Sequence, residues 1–252
     1  MADAGKSASR RVAAVQRAMA VLEALADSGA DLGTNQIARR TGINASSVSR
    51  LLATLADGEL VQHVPETGGY RLGFRLFQLG SAAVGRSGLQ VLARPHLTAL
   101  AEATGETATL SVPGEREAIT VDFVPGTSSV QSVARLGRPS VAHATAVGKV
   151  FLAHGGELPD GALPAYTART VTDRQVLSGQ TERVARRGWA EAVGEREPGL
   201  NAIAAPVLGP RGELVAILGL QGPADRFGRR AMRAAAAVLV ERAGAVSRRT
   251  AA

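Results

Sequence analysis

The chain has 252 residues, 29 of them basic and 22 acidic, with four histidines, eight aromatics and no cysteine. That length suits one large or two modest domains, at about 100–200 residues each. The absence of cysteine excludes disulfides, thiolate metal sites and cysteine nucleophiles, and no apolar run reaches the ~18–20 residues that a bilayer span needs.

The opening MADAGKSASRR lacks the short apolar core and cleavage site of a secretory signal. It reads as a disordered tail over residues 1–11, and the expectation is a cytoplasmic protein with no membrane partner. The net charge of +7 is unevenly spread. Residues 1–80 hold nine basic and seven acidic side chains, 81–225 hold thirteen and fourteen, and 226–252 hold seven and one. The surplus therefore sits mainly in the tail and points only weakly to an anionic partner.

The N-terminal third reads as three helices and a hairpin. Val15, Ala18, Met19, Leu22 and Leu25 recur at helical spacing, and Asp27-Ser28-Gly29 offers a left-handed close. Thr34 is placed to cap a second helix that carries Ile37 and Ala38 and ends at Thr41-Gly42. Asn44 is placed to cap a third, in which Val48, Leu51, Leu52 and Leu55 share a face before Asp57-Gly58. Two helices joined by a short Gly-containing turn make a helix-turn-helix. Strand-like runs at 60–64 and 70–72, with a turn at 65–69, add a wing.

A helical segment follows at 75–84, broken at Gly85 to Gly88, and then another at 89–104. Beyond residue 106 short apolar strands appear at 108–112, 118–124, 129–134, 201–207 and 214–221. Helices are expected at about 145–153, 173–187 and 226–248. The fold class is α+β with two domains, the second built on an antiparallel sheet.

On the third helix the apolar stripe leaves Ser46, Ser47, Arg50 and Thr54 on the opposite face, with Ser49 at its edge. Short hydrogen-bonding groups with one bidentate donor suit base edges and phosphates in a major groove. The helix starts at Thr34 and Asn44 offer backbone N–H groups to phosphates, and the wing adds His63 and Arg71. The same pattern also fits a helical module that contacts protein.

Signatures of catalysis are missing. His63, His96, His143 and His154 lack zinc-ligand spacing, no G-x-S-x-G elbow exists, and the run ending Gly148-Lys149 lacks the first Gly and last Ser or Thr of a phosphate loop. Lys149 reads as structural or pocket-lining. Glu191, Glu195 and Glu197 read as solvated. The chain is therefore not expected to be an enzyme, and no cofactor or metal is expected. Small residues at Ala146, Val147, Ala192, Ala202 and Gly219 leave room for a small molecule against the sheet, although they also fit ordinary close packing.

Taken in order, VQRAMAVLEALA, QIARRTGINASSVSRLLATLADGELV, YRLGFRLFQLG, HATAVGKVFLA, EPGLNAIAAPV and AILGLQGP span roughly residues 12–223 and resemble the IclR-type transcriptional regulators of bacteria. The resemblance implies a winged helix-turn-helix at 12–73, a linker helix at 74–87 and a GAF-like effector-binding domain at 88–252. It also implies a homodimer or a homotetramer made as a dimer of dimers. Such proteins are ligand-responsive, usually repressors and sometimes activators of nearby catabolic operons, acting on double-stranded operator DNA.

Carried over by position, the recognition helix falls on Asn44 to Ala56. Many members place Pro, Lys and His where this chain has Asn44, Ala45 and Ser49, while Ser46, Val48 and Arg50 keep the pattern. With fewer cations, the salt dependence of binding should be shallower.

The implied effector pocket falls on Val133, Ala146, Val147, Ala192, Ala202, Gly219 and Gln221. Several relatives carry Asp, Cys and Ser where this chain has Ala, Ala, Gly and Gln, which implies a less polar, roomier pocket for a small organic acid, with a larger, flatter aromatic acid expected over two- or three-carbon keto acids. The backbone at 145–148, starting at Thr145, would hold the carboxylate, and Gln221 or Asn201 would orient the rest.

Overall fold

The structure, a computed structural model, describes residues 12–85, 88–127, 134, 136–137 and 139–250. The expected tail at 1–11 lies outside them, as does the expected strand at 129–134 except for Ala134. The chain divides into two compact units, Met1–Arg86 and Ser87–Ala252.

The first unit contains α1 (Ala13–Ala26), α2 (Thr34–Thr41), α3 (Ala45–Asp57), β1 (Val61–Val64), β2 (Gly69–Leu72) and α4 (Phe74–Gly85). One side chain per helical turn from each of the first three helices, with Leu32 and Val61, fills its core: Val21 and Leu25, Ile37, then Val48, Leu52 and Leu55. Gly42 ends α2 in the left-handed conformation, φ 71°, as its position after Thr41 suggests. α1 closes differently. Asp27 stays right-handed, and its N–H donates to Glu23 O at 2.9 Å, so Gly29 is not the cap.

The wing strands pair antiparallel with Gln62 opposite Arg71 and Val64 opposite Gly69. Leu32 adds a third backbone segment by exchanging hydrogen bonds with Tyr70 at 3.0 and 2.9 Å, which ties the turn before α2 to the wing. Gly69 permits this approach, since a Cβ there would lie 2.9 Å from Asp31 Cβ.

The second unit comprises α5 (Leu89–Thr104), β3 (Thr107–Pro113), β4 (Ala118–Val124), β5 (Pro139–Ser140), α6 (Ala146–Ala153), α7 (Arg174–Arg187), β6 (Ala190–Val193), β7 (Leu200–Leu208), β8 (Leu214–Pro223) and α8 (Arg229–Thr250). Among the described residues six strands form one sheet in the order β5-β4-β3-β8-β7-β6, with every neighbouring pair antiparallel. The fold is α+β, as the sequence suggests. The short strands β5 and β6 have too little alternation to be seen in sequence. α8 starts three residues later than expected because the N–H groups of Arg226 and Phe227 turn back to Pro223 O.

Alternation along the strands sorts side chains between two cores. Ala108 and Leu110, Ile203 and Ala205, and Leu218 and Leu220 pack under α5 and α8. Ala118, Ala192, Ala204 and Ile217 face α6 and α7. Helix α6 approaches the sheet closely because residue 148 is glycine: a Cβ there would lie 2.5 Å from Ala142 Cα and 2.6 Å from Val141 O, both backbone atoms. Gly148→Ala is therefore expected to destabilise the second unit by about 1–3 kcal/mol, the usual cost of overpacking a filled interior, as read from urea or thermal unfolding.

Candidate functional site

Two sites emerge, one in each unit. On α3 the buried Val48, Leu52 and Leu55 turn Ser46, Ser49, Arg50 and Thr54 outward to solvent. Asn44 caps the helix, its Oδ1 accepting from Ser47 N at 2.8 Å and from Ser46 Oγ at 2.9 Å. Ser47 is half-buried, so it contributes less to the open face than its sequence position suggests. Thr54 Oγ1 donates back to Arg50 O at 3.1 Å, which leaves the Arg50 guanidinium as the extended group.

The cap of α2 is not Thr34. Gly33 holds that position, and its N–H donates to Gln36 Oε1 at 2.7 Å; Thr34 is the first helical residue, where its own N–H lies among the unpaired donors of the first turn. On the wing, Arg71 and Gln62 lie side by side with Arg71 Nε donating to Gln62 Oε1 at 3.2 Å, and the His63 ring packs against Tyr70.

The second site is a cavity of about 650 Å3 between the sheet and the start of α6. Of the sequence-designated positions it brings together Thr145, Ala146, Val147, Ala192, Ala202 and Gln221. Thr145 caps α6, its Oγ1 accepting from Gly148 N at 2.9 Å and donating to Val141 O at 2.9 Å. The next N–H groups, of Ala146 and Val147, are first-turn donors without an intrahelical partner.

Three designated positions stand apart. Val133 lies outside the described residues. Gly219 sits beneath Thr109, whose Oγ1 would be 2.5 Å from a Cβ at that position, and it does not reach the cavity. Asn201 faces the opposite side of the sheet: it is buried, and its Nδ2 donates to Phe227 O at 2.9 Å. The two-residue period of β7 explains this, because Ala202 lines the cavity and its neighbour must point away.

The cavity is also less apolar than the four substituted positions imply. Thr109 on β3, Thr120 on β4, Ser140 on β5 and the charged Glu195-Arg196-Glu197 turn also line it. The alternation of Thr107, Thr109 and Ser111 against Ala108 and Leu110 is visible in the sequence and marks β3 as two-faced. The turn carries no comparable signal.

That turn is held by a buried ion pair. Lys149 is 2% exposed and Glu195 8%, so Glu195 is not solvated as the sequence suggests. Lys149 Nζ donates to both carboxylate oxygens at 2.7 Å and to Glu191 O at 3.1 Å, which uses all three of its protons. Burial pulls the ammonium below the ordinary lysine range, and Glu195 opposes that shift. Thr167 Oγ1 donates to Gly194 O at 2.7 Å and Thr170 Oγ1 to Glu195 O at 2.6 Å. Arg196 lies over the Tyr166 ring at 3.9 Å, and Tyr166 stacks on the buried His143.

The comparisons with known proteins agree with this layout. The IclR helix-turn-helix domain model matches residues 14–65, and the model of the C-terminal domain of bacterial IclR transcriptional regulators matches residues 81–248. The chain belongs to the IclR family.

Among its relatives, the HTH-type transcriptional regulator BhcR of Paracoccus denitrificans is 31% identical, with 96% of this chain and 89% of that protein covered. The transcriptional repressor IclR of Escherichia coli is 29% identical, covering 87% and 83%. A crystal structure of an IclR homolog from Microbacterium hydrocarbonoxydans, complexed with 4-hydroxybenzoate, is 25% identical with a TM-score of 0.80, covering 93% of this chain and 98% of that one. The IclR-family relatives are transcriptional regulators, and the helix-turn-helix makes DNA the macromolecular partner of the first unit. Among the described residues no helix is long and apolar enough to cross a membrane.

Removing the recognition-helix cap with Asn44→Ala should lower stability by about 1 kcal/mol. Arg50→Ala, on an exposed surface, should stay within about 0.5 kcal/mol in stability while weakening operator binding by about 1–3 kcal/mol in a gel shift. Lys149→Met should destabilise by about 3–5 kcal/mol, because it leaves Glu195 buried without its partner. Adding Glu195→Leu to that variant should recover most of the loss in the same unfolding measurement.

Proposed function

We propose that this chain is a ligand-responsive repressor of a nearby catabolic operon, whose affinity for double-stranded operator DNA changes when a small aromatic acid enters the effector cavity. In this reading residues 12–73 form the DNA-reading module, 74–87 the linker and 88–252 the effector domain, acting in the cytoplasm without a cofactor. The cavity carries the argument. About 650 Å3 is within the range of small-molecule sites, about 300–1,000 Å3, and the small side chains of Ala192 and Ala202 in its lining leave room for a ring. The N–H groups of Ala146 and Val147, at the positive end of α6, and the Arg196 guanidinium suit a carboxylate. Gln221 and the hydroxyls of Thr109 and Thr120 suit a polar ring substituent.

The 4-hydroxybenzoate bound by the Microbacterium homolog supports an aromatic acid here, and the repressor relative supports the sign. On α4, Phe74 and Phe77 are 70% and 66% exposed and stack on each other, which suits a homodimer, or a homotetramer made from two of them. In such an assembly two recognition helices must meet major grooves about 34 Å apart. A ligand alters DNA affinity only through a difference in its own affinity for the competing quaternary arrangements.

Isothermal titration of the full chain should show binding of benzoate and 4-hydroxybenzoate, and Ala202→Phe should abolish it by filling the cavity. The same acids should shift operator affinity in a gel-shift assay. Tight binding of pyruvate or glyoxylate with no response to benzoates would overturn the ligand assignment.

A further inference from the structure

A second cavity of about 510 Å3 lies in the same unit and shares Glu195 with the first. Its lining is strongly cationic. Lys149, Arg169, Arg183, Arg187 and Arg229 face it, against Glu191 and Glu195. Both carboxylates are engaged: Glu195 holds Lys149, and Glu191 lies 3.9 Å from Arg187. The guanidinium groups of Arg169, Arg183 and Arg229 meet no carboxylate among the described residues. Gln180 also lines the cavity, and its buried Oε1 has no hydrogen-bond partner.

Like charges gathered round a concavity repel one another unless an anion lies between them. Arg187 registers this crowding. Partial burial, and then the nearby Arg183 and Arg233, hold its guanidinium below the ordinary value against the pull of Glu191. Guanidinium groups bind oxyanions through paired N–H donors, and a buried amide oxygen needs a donor from its ligand.

We propose that this cavity is a second small-molecule site, taking a hydroxylated oxyanion with at least two negative charges, carried on carboxylate or phosphate groups. Arg169, Arg183 and Arg229 hold the charges, and Gln180 accepts from the hydroxyl. The site stands on its own lining and needs neither DNA nor a benzoate in the first cavity, so failure of the effector assignment leaves it standing.

The chain contains a single tryptophan, and it reports on this cavity: the Arg187 guanidinium lies 3.7 Å from the Trp189 ring centroid. Trp189 fluorescence of the full chain is titrated with citrate, with tricarballylate, which lacks the hydroxyl, and with pyrophosphate, each against sodium chloride of equal ionic strength. Citrate or pyrophosphate should give a saturable change that sodium chloride does not, and citrate should bind more tightly than tricarballylate. Pyrophosphate against tricarballylate, neither of which carries the alcohol hydroxyl, separates phosphate from carboxylate chemistry.

The triple variant Arg169→Gln, Arg183→Gln, Arg229→Gln should weaken binding at least about tenfold, the equivalent of one lost charge-assisted contact. The matched variant Arg186→Gln, Arg211→Gln, Arg230→Gln, with the same change in net charge at exposed positions outside the cavity, should retain it. No saturable response to any of the three anions, or equal weakening in both triple variants, overturns the site. Equal affinity for citrate and tricarballylate overturns the role given to Gln180. The wild-type titrations decide the matter even where a triple variant fails to fold.

Discussion

The buried pair of Lys149 and Glu195 is the interaction on which both cavities of the second unit rest. Removing two charges from water is costly, and the pair is viable only because both carboxylate oxygens and all three ammonium protons have partners. Those bonds join α6 to the turn after β6, and the hydroxyls of Thr167 and Thr170 hold the same turn from outside. Arg196 and Glu197 follow Glu195 directly in the chain, so the position of the first cavity's charged wall depends on this pair. Both members line the second cavity, and Glu195 is the residue that the two cavities share.

The DNA-reading unit depends on a different economy of means. Its core is small, built from about one apolar side chain per helical turn, and the backbone bridge between Leu32 and Tyr70 extends the hairpin into the turn before α2. The recognition helix is left with a short polar face and a single cation. Affinity from such a face leans on hydrogen bonds and helix termini more than on charge, which accords with a surplus of Arg that lies at α8 and not at the helix-turn-helix.

Most of this architecture was legible in the sequence because it is local. Helix caps such as Asn44, glycine stops such as Gly42, and the apolar stripe of α3 act within a few residues. Six of the designated effector positions also converge on one cavity. The failures have physical causes. Thr34 and Gly33 compete for one cap, and the reach of Gln36 to the Gly33 N–H decides between them. Asn201 looks like a ligand-orienting amide, but the parity of β7 turns it to α8. Glu195 looks solvated because its partner is 46 residues away in the chain, and no local pattern signals a buried pair of that separation. β5 and β6 are too short to declare a period, and their strand character comes from neighbours in the sheet.

The two-faced character of β3 has a wider consequence. Ala108 and Leu110 are shared with the α5 and α8 core, whereas Thr109 and Thr120, on adjacent strands, open into the cavity. Core packing and cavity lining are thus assigned to alternate residues of the same strands. Substitutions on one parity need not disturb packing on the other, since groups on opposite sides of a sheet share few partners. The cavity lining can therefore change while the scaffold stays, and that division is written into a strand of seven residues.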